Sequence, residues 1–207
     1  ERFILIFQRL ILFIMSVKRI AIMASGSGSN AQKIMEYFAD NNNVRVECLL
    51  SNNPTATALE RARKMGVETF TFDRNTFYNT TFVSDLLAKR GVSLIVLAGF
   101  LWLVPEILVR SFKIINIHPA LLPRYGGKNM YGMNVHRAVI ENGDPISGIT
   151  IHYVNEAYDE GDVIFQAECT VDESDTPETL AEKIHQLEHA YYPKVISRLL
   201  ESEDYNI

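Results

Sequence analysis

An asparagine and a histidine stand two residues apart in the run Asn116-Ile117-His118-Pro119, at the end of an apolar stretch. If that stretch is a strand, residues at i and i+2 lie on one face, so both side chains leave it together. An amide donates a hydrogen bond to a developing oxyanion, and an imidazole moves protons near neutral pH. A buried histidine bonded only to backbone is the alternative, and the paired asparagine favours the catalytic interpretation.

The small-residue loop Ser25–Asn30 (SGSGSN) is a second candidate site, between an apolar stretch and a helical pattern. Glycines let the backbone approach a ligand closely, and free N–H groups at a helix start attract an anion. A phosphate monoester fits this description. A dinucleotide fingerprint would need a third glycine where Ala31 stands, and a simple tight turn is the other alternative.

Two polar runs are ambiguous. The acidic loop Asn155–Asp162 is by default a solvated turn, but a tight turn at Gly161 would aim Asp159 over the sheet edge. A carboxylate there could orient a histidine and favour its charged form. The run His185–His189 matches H-x-x-E-H, a zinc-peptidase pattern, but it lacks an evident third ligand. We therefore expect no metal, and we expect His185 and Glu188 to face one pocket from a helix.

A scaffold of alternating strands and helices is predicted to position these residues. The predicted strands are Ile20–Met23, Val44–Leu50, Val67–Phe72, Ser93–Ala98, Lys113–His118, Ile149–Tyr153 and Val163–Val171. We expect Asn30 to cap the first helix, and Leu180, Ile184, Leu187 and Tyr191 to form the apolar stripe of the last one, which begins at Pro177. This alternation predicts an α/β fold, a Rossmann-like, doubly wound, mostly parallel sheet with helices on both faces. Ligands of such sheets bind outside the carboxyl ends of strands, where we expect both His118 and Asp159 to lie.

Composition restricts the function classes. A length of 207 residues suits one domain, and a net charge of −5 leaves no basic surplus for nucleic acid. Residues 1–14 are apolar but shorter than the roughly 20 residues that span a bilayer. We expect them to lie outside a single domain at 15–207, with no membrane contact. Cys48 and Cys169 are predicted to be buried thiols in a reducing compartment.

The motifs, taken in order, resemble the folate-dependent formyltransferase family. NIHPALLP (116–123) is similar to that family's NIHPSLLP signature, with Ala120 in place of the serine. AGF (98–100) precedes it, and the motifs that follow it in the family's order are HRAVIENGD (136–144), GITIHYV (148–154), the Asp159-x-Gly161 turn and EHAYYP (188–193). The GSGSN loop (26–30) and SNNP (51–54) resemble the branch that formylates glycinamide ribonucleotide. The resemblance extends from Lys18 to Leu200.

This resemblance implies an enzyme that transfers the formyl group of 10-formyltetrahydrofolate to the amine of glycinamide ribonucleotide. It implies small-molecule substrates, no metal and no nucleic acid, in a cytoplasmic monomer or homodimer. The implied catalytic set is Asn116, His118 and Asp159. The implied acceptor contacts are Gly28, Ser29, Asn30, His185 and Glu188. The implied folate contacts are Leu101, Trp102, Leu103, Val104, Asn155, Glu156, Ala157 and Tyr158.

The chain departs from the family pattern at three further places. Trp102 stands where many relatives carry an arginine, Thr80 stands where some place a folate-tail arginine, and the loop at 126–134 is longer and richer in methionine. We therefore assign no contact to the folate tail. The rivals are formyltetrahydrofolate hydrolase, methionyl-tRNA formyltransferase and a non-catalytic phosphate sensor. A sensor would leave the asparagine, histidine and aspartate set without a role.

Overall fold

A seven-stranded sheet forms the centre of the protein, whose computed structural model describes residues 17–202. The expectation for residues 1–14 lies outside the described residues. The spatial strand order is β3-β2-β1-β4-β5-β6-β7, in which β1 to β5 run parallel while β6 and β7 are antiparallel. The strands are β1 (Lys18–Met23), β2 (Val44–Ser51), β3 (Glu68–Thr71), β4 (Leu94–Leu97), β5 (Lys113–His118), β6 (Ile146–Tyr153) and β7 (Val163–Thr170). The predicted mostly parallel sheet is confirmed.

Helices cover both faces of this sheet, as predicted. Alternate residues of β1 enter two separate cores, because successive side chains of a strand point to opposite faces. Helices α1 (Ser29–Phe38), α2 (Thr57–Lys64), α6 (Met133–Glu141) and α7 (Pro177–Glu201) pack on one face, and α3 (Arg74–Asn79), α4 (Phe82–Lys89) and α5 (Glu106–Ser111) on the other. Within residues 17–202, no helix is both long and apolar enough to cross a bilayer.

The last helix buries a different tyrosine from the one predicted. Tyr191 is 36% exposed and packs beside Phe165, whereas Tyr192 is fully buried. The Tyr192 hydroxyl lies 2.9 Å from the Leu97 carbonyl oxygen, to which it donates, and 3.3 Å from that of Ile115. The spacing of apolar residues could not show that the hydroxyl of Tyr192 has two carbonyl oxygens of the sheet within hydrogen-bond distance. The prediction that Tyr191 belongs to the apolar stripe was therefore wrong.

Burial differs from the sequence expectation on the antiparallel strands. Strand β6 is buried on both faces, since Thr150 and His152 are as buried as their apolar neighbours. The segment after β5 packs over that second face, since the Thr150 hydroxyl donates to Ala120 O and accepts from Leu122 N. Cys48 is buried as predicted, whereas Cys169 on the edge strand β7 is only half-buried.

The acidic loop reaches the carboxyl end of β5, where His118 lies, by an unexpected route. Because β6 is antiparallel to β5, its last residues lie level with the start of β5, and Val154 N donates to Ile114 O. Residues 154–162 then fold back across the sheet face until Asp159 approaches His118. The expectation that both residues follow strand ends at one edge was wrong for Asp159, because the parallel rule does not apply to an antiparallel strand.

Candidate active site

A cavity of about 470 Å³ opens at the carboxyl ends of β1, β4 and β5. Its wall contains the loop after β1, the segment after β4, the end of β5, residues 127–132, part of the acidic loop and two residues of α7. The structure therefore brings together nearly all of the predicted site residues. The exceptions are Asn155 and Glu156, which do not line the cavity; Asn155 Oδ1 instead accepts from Ala157 N and closes a turn.

Asn116, His118 and Asp159 meet in the wall of this cavity. The Asp159 carboxylate lies 3.4 Å from His118 Nδ1 through one oxygen and 3.5 Å from Asn116 Nδ2 through the other. Asp159 has a left-handed backbone, with φ of 57°, and a side chain at Gly161 would collide with the Tyr153 carbonyl. The predicted tight turn is therefore present, and it aims the carboxylate at the end of β5.

Two opposing influences act on the pKa of His118. Burial of the ring lowers this pKa, and the charge of Asp159 raises it by less, so the net shift is opposite to the one expected. Burial raises the pKa of Asp159, but hydrogen bonds and charges from His152, His118 and Gly127 N–H together lower it below the usual range, and Asp159 stays ionised. The arrangement is therefore a histidine beside a carboxylate, which can receive and share a proton.

His152 is a member of this cluster that the sequence did not reveal. Its Nδ1 lies 2.8 Å from Tyr153 O, which only accepts, so Nδ1 carries a proton. Nε2 lies 3.2 Å from Asn116 Nδ2 and 3.5 Å from Asp159 Oδ1. Asn116 Nδ2 therefore has two protein neighbours, and the residue also lines the cavity. The strand pattern marked His152 as polar, but only the β5–β6 register places it opposite Asn116.

The first loop has the features of an anion site. Gly28, not the predicted Asn30, is the N-cap of α1, with φ of 71°. The first-turn N–H groups of that helix have no intrahelical acceptor and so remain available to a ligand. The Ser25 hydroxyl accepts from Leu101 N and donates to Asn52, so this loop is tied to the loops after β4 and β2.

The side chain of Asn30 binds Glu188 of α7. Asn30 Nδ2 donates to Glu188 Oε2 at 2.8 Å, while Asn30 Oδ1 is buried and has no hydrogen-bond partner in the part of the chain that the structure describes. Burial raises the pKa of Glu188 to about 7, and the Asn30 bond lowers it by less. Both Glu188 and His185 line the cavity, which confirms that they share one helix face. A ligand hydroxyl or amine here would satisfy the free oxygen of Asn30.

His136 of α6 is a further buried cavity residue that the sequence gave no role. Its Nδ1 has no hydrogen-bond partner among the described residues, and burial lowers its pKa to about 4. It lines the same cavity as His118 and His185, whose charges also act on it. The only sequence signal was its position at the start of the motif HRAVIENGD. A neutral imidazole here offers a donor or an acceptor to a bound ligand.

The segment Leu101–Val104 forms an apolar wall of the cavity. Trp102 belongs to an aromatic cluster with Phe72, Phe77, Tyr78 and Phe100. The Arg74 guanidinium lies 5.3 Å from the Tyr78 ring centre and 5.7 Å from that of Trp102. A flat aromatic ligand fits such a wall. Within residues 17–202, no three His, Cys, Asp or Glu side chains are placed to hold a metal ion.

Residues 18–196 match the protein family described as formyl transferase. The phosphoribosylglycinamide formyltransferase of Bacillus subtilis (strain 168) is 36% identical to this chain, in an alignment that covers 89% of this chain and 95% of that relative. The chloroplastic phosphoribosylglycinamide formyltransferase of Arabidopsis thaliana is 41% identical to 89% of this chain, which spans 66% of that longer relative.

A solved structure shares this fold. The crystal structure of glycinamide ribonucleotide transformylase 1 from Symbiobacterium toebii superposes with a TM-score of 0.82 and 34% sequence identity. The superposition covers 90% of this chain and 89% of that one. The similarity therefore includes both the sheet and the loops that build the cavity.

Proposed function

The chain belongs to the formyl transferase family, and from that membership we propose that it transfers the formyl group of 10-formyltetrahydrofolate to the amine of glycinamide ribonucleotide. The products are formylglycinamide ribonucleotide and tetrahydrofolate, a step of purine biosynthesis. The relatives that carry this activity in their names align across almost the whole described domain. Both substrates are small molecules.

The observation that carries the proposal is the convergence of three groups on one cavity. The open start of α1 at Gly28 suits the acceptor's phosphate, and the Leu101–Val104 wall suits the flat pterin of the folate. Between them lie Asn116 and the His118–Asp159 pair. A phosphate sensor would need only the first of these, so the arrangement favours group transfer between two bound substrates.

The geometry supports direct attack of one substrate on the other. The acceptor nitrogen bonds to the formyl carbon, whose carbonyl electron pair moves onto oxygen, where the Asn116 amide donates to it. The bond from carbon to the folate nitrogen N10 then breaks, and the pair stays on that nitrogen. N10 gains the proton that the attacking nitrogen loses. His118, beside the ionised Asp159, holds this proton in transit.

Formyl transfer and formate release distinguish the proposal from hydrolysis. We would incubate the full chain with 10-formyltetrahydrofolate, with and without glycinamide ribonucleotide, and quantify the formylated acceptor and free formate. The proposal requires product formation that depends on the acceptor and is largely lost in His118→Ala. Formate release at equal rate without the acceptor would identify a hydrolase instead. A parent protein that binds the acceptor but forms neither formylated product nor formate, with binding unchanged in His118→Ala, would identify a sensor.

A further inference from the structure

We propose that Tyr125 and Asp144 form a latch that orients the ring of His118, so that both are positioning residues for the reaction. Neither side chain belongs to the catalytic set, and neither lines the cavity. The kinetic part of this inference rests on the proposed function, whereas the orientation of His118 is measurable without any substrate.

The latch acts on His118 through a main-chain carbonyl. His118 Nε2 lies 2.7 Å from the carbonyl oxygen of Tyr125. A carbonyl only accepts, so Nε2 must carry a proton and donate it. Nε2 therefore keeps its proton, and Nδ1 is the nitrogen that gains or loses a proton opposite the Asp159 carboxylate, at 3.4 Å. The site at which His118 receives a proton is therefore set by the position of the Tyr125 carbonyl.

That carbonyl is held in an unfavourable backbone conformation. Tyr125 has φ of 57°, in the left-handed region that side chains other than glycine rarely adopt. Such a conformation persists only where the surrounding contacts hold it. The neighbouring Gly126 and Gly127 make the turn compact, because a side chain on Gly126 would meet that of Leu122 at 2.6 Å.

The contact that holds Tyr125 lies at its other end, on Asp144. The phenol hydroxyl donates to Asp144 Oδ2 at 2.5 Å. Asp144 is a buried carboxylate between α6 and β6, and the Tyr125 hydrogen bond is the largest influence lowering its pKa. Asn142 Nδ2 and the Arg124 guanidinium each donate to its other oxygen at 2.8 Å. Asp144 is therefore a fixed ionised anchor to which the side chain ties the turn.

The same turn also positions the partner of His118. Gly127 N donates to Asp159 Oδ2 at 3.0 Å, on the oxygen that faces His118 Nδ1. Main-chain atoms of Tyr125 and Gly127 thus form hydrogen bonds to His118 and to Asp159, respectively. If the turn is no longer bonded to Asp144, both hydrogen bonds lose their fixed geometry. Asp144 therefore influences how His118 and Asp159 are aligned.

Tyr125→Phe tests the latch because it removes one hydroxyl and keeps the ring. We would compare the variant with the parent and with Tyr37→Phe, a change at an exposed tyrosine of α1. Nitrogen-15 NMR of histidine-labelled protein reports the tautomer of His118. We expect the Nε2–H preference of the parent to be lost in Tyr125→Phe and kept in Tyr37→Phe.

Kinetics and pH profiles supply the second readout. A misaligned pair should lower kcat roughly tenfold and leave the KM of both substrates within about twofold, because binding groups are untouched. The Tyr125 bond raises the pKa of His118, so its loss should shift the profile to lower pH. The charged or titratable groups acting on His118 are Asp159, His152 and His136, and all three remain in the variant.

Asp144→Asn and the double variant complete the design. If both residues act through one latch, the double variant should lose little more kcat than the worse single variant. An unchanged tautomer with normal kcat in Tyr125→Phe would overturn the proposal. So would a lower melting temperature with an unchanged tautomer and pH profile, since that result describes a merely structural bond. A parent that does not formylate glycinamide ribonucleotide would refute the function but leave the tautomer test intact.

Discussion

Asn116 is the residue of the proposed catalytic set that contacts both His152 and Asp159. Its amide nitrogen lies 3.2 Å from His152 Nε2 and 3.5 Å from Asp159 Oδ1, and the residue also lines the cavity. We propose that this amide donates to a ligand oxygen whose negative charge exists mainly in the transition state.

Replacement of this amide should slow the chemical step. We expect Asn116→Ala to lower kcat by roughly 100-fold or more, as loss of one oxyanion donor does in other enzymes. The KM for the folate should change little. Steady-state kinetics measure both, with Asn75→Ala on the exposed surface of α3 as control. Near-normal kcat in Asn116→Ala would remove it from the catalytic set.

Asp159 should tune His118, whereas its neighbour Glu160 should not. Asp159→Asn keeps the size and tolerates the left-handed backbone, but it removes the charge that raises the pKa of His118. The pKa of His118 should fall further, and the rate at pH 7 should drop by roughly 100-fold. Glu160 is exposed, so Glu160→Gln should behave like the parent. Equal, mild pH–rate changes in the two variants would show that the loop is merely solvated.

Glu188 should make the protein less stable at alkaline pH. Its folded-state pKa of about 7 lies above the unfolded value of roughly 4.3, so folding disfavours its ionised form. This unfavourable contribution to stability is absent below the unfolded-state pKa of Glu188. It grows as the pH rises from there through the folded-state pKa. Glu188→Gln should therefore match the parent near pH 4 and exceed its stability at pH 8.

Urea unfolding at these two pH values measures this difference. Glu182→Gln changes an exposed carboxylate of the same helix and serves as the matched control. A stability difference between Glu188→Gln and the parent that is independent of pH would contradict the assignment. The comparison also measures how much a buried carboxylate at this cavity position lowers the free energy of unfolding.

At the scale of elements, the sequence predicted what depends on local pattern. The bounds of β5 were correct because an apolar run ends at His118 before Pro119. The long helix from Pro177 was identified because apolar residues recur at helical spacing, and the structure shows that Thr176 caps it. These features depend on neighbours within a few positions along the chain.

What the sequence could not predict depends on partners far along the chain. The pairing of His152 with Asn116 follows from the register of two antiparallel strands, which periodicity does not specify. The lowered pKa of His118 follows from burial by the segments around it, so the sign of this shift was missed. The roles proposed for Asn116, His118 and Asp159 came from the resemblance, because spacing alone left them open.

Gly28 illustrates how an element can require a residue for packing as well as for a ligand. A side-chain carbon on Gly28 would lie 2.5 Å from Ala58 Cβ and 2.7 Å from its Cα, where α2 packs against the start of α1. The left-handed φ adds strain for any other residue. We expect Gly28→Ala to lower the free energy of unfolding by about 2 kcal/mol.

Gly26 is the matched control for this change. A side-chain carbon there meets nothing within 4 Å, although Gly26 lines the same cavity. Gly26→Ala should keep the stability of the parent and raise the KM of the acceptor. Denaturant unfolding and steady-state kinetics distinguish the two glycines. Equal stability of both variants would show that α1 and α2 adjust without cost.

At the scale of the whole molecule, the site joins two unlike parts of the sheet. The parallel strands β1 and β4 carry the phosphate loop and the apolar wall, whereas the antiparallel pair β6 and β7 carries His152 and the loop of Asp159. Helix α7 closes the cavity with Glu188. Neither part contains a complete catalytic set, so activity requires that the two halves pack correctly.

The N-terminal segment should be dispensable for this assembly. The family match begins at residue 18, and the cavity residues lie between Gly26 and Glu188. A chain that starts at Met15 should keep its kcat and melt within a few degrees of the longer chain. Activity and thermal unfolding of the two forms check this expectation. A large loss of either quantity would show that residues 1–14 contribute to the domain.

The buried hydroxyl of Tyr192 has a consequence for how the active enzyme arises during synthesis. It donates to Leu97 O and lies close to Ile115 O, on β4 and β5, which the ribosome releases long before α7. Until that last helix docks, the carbonyl of Leu97 lacks its donor and the cavity lacks Glu188. We therefore expect the return of catalysis on refolding to report the docking of the final helix rather than the formation of the sheet.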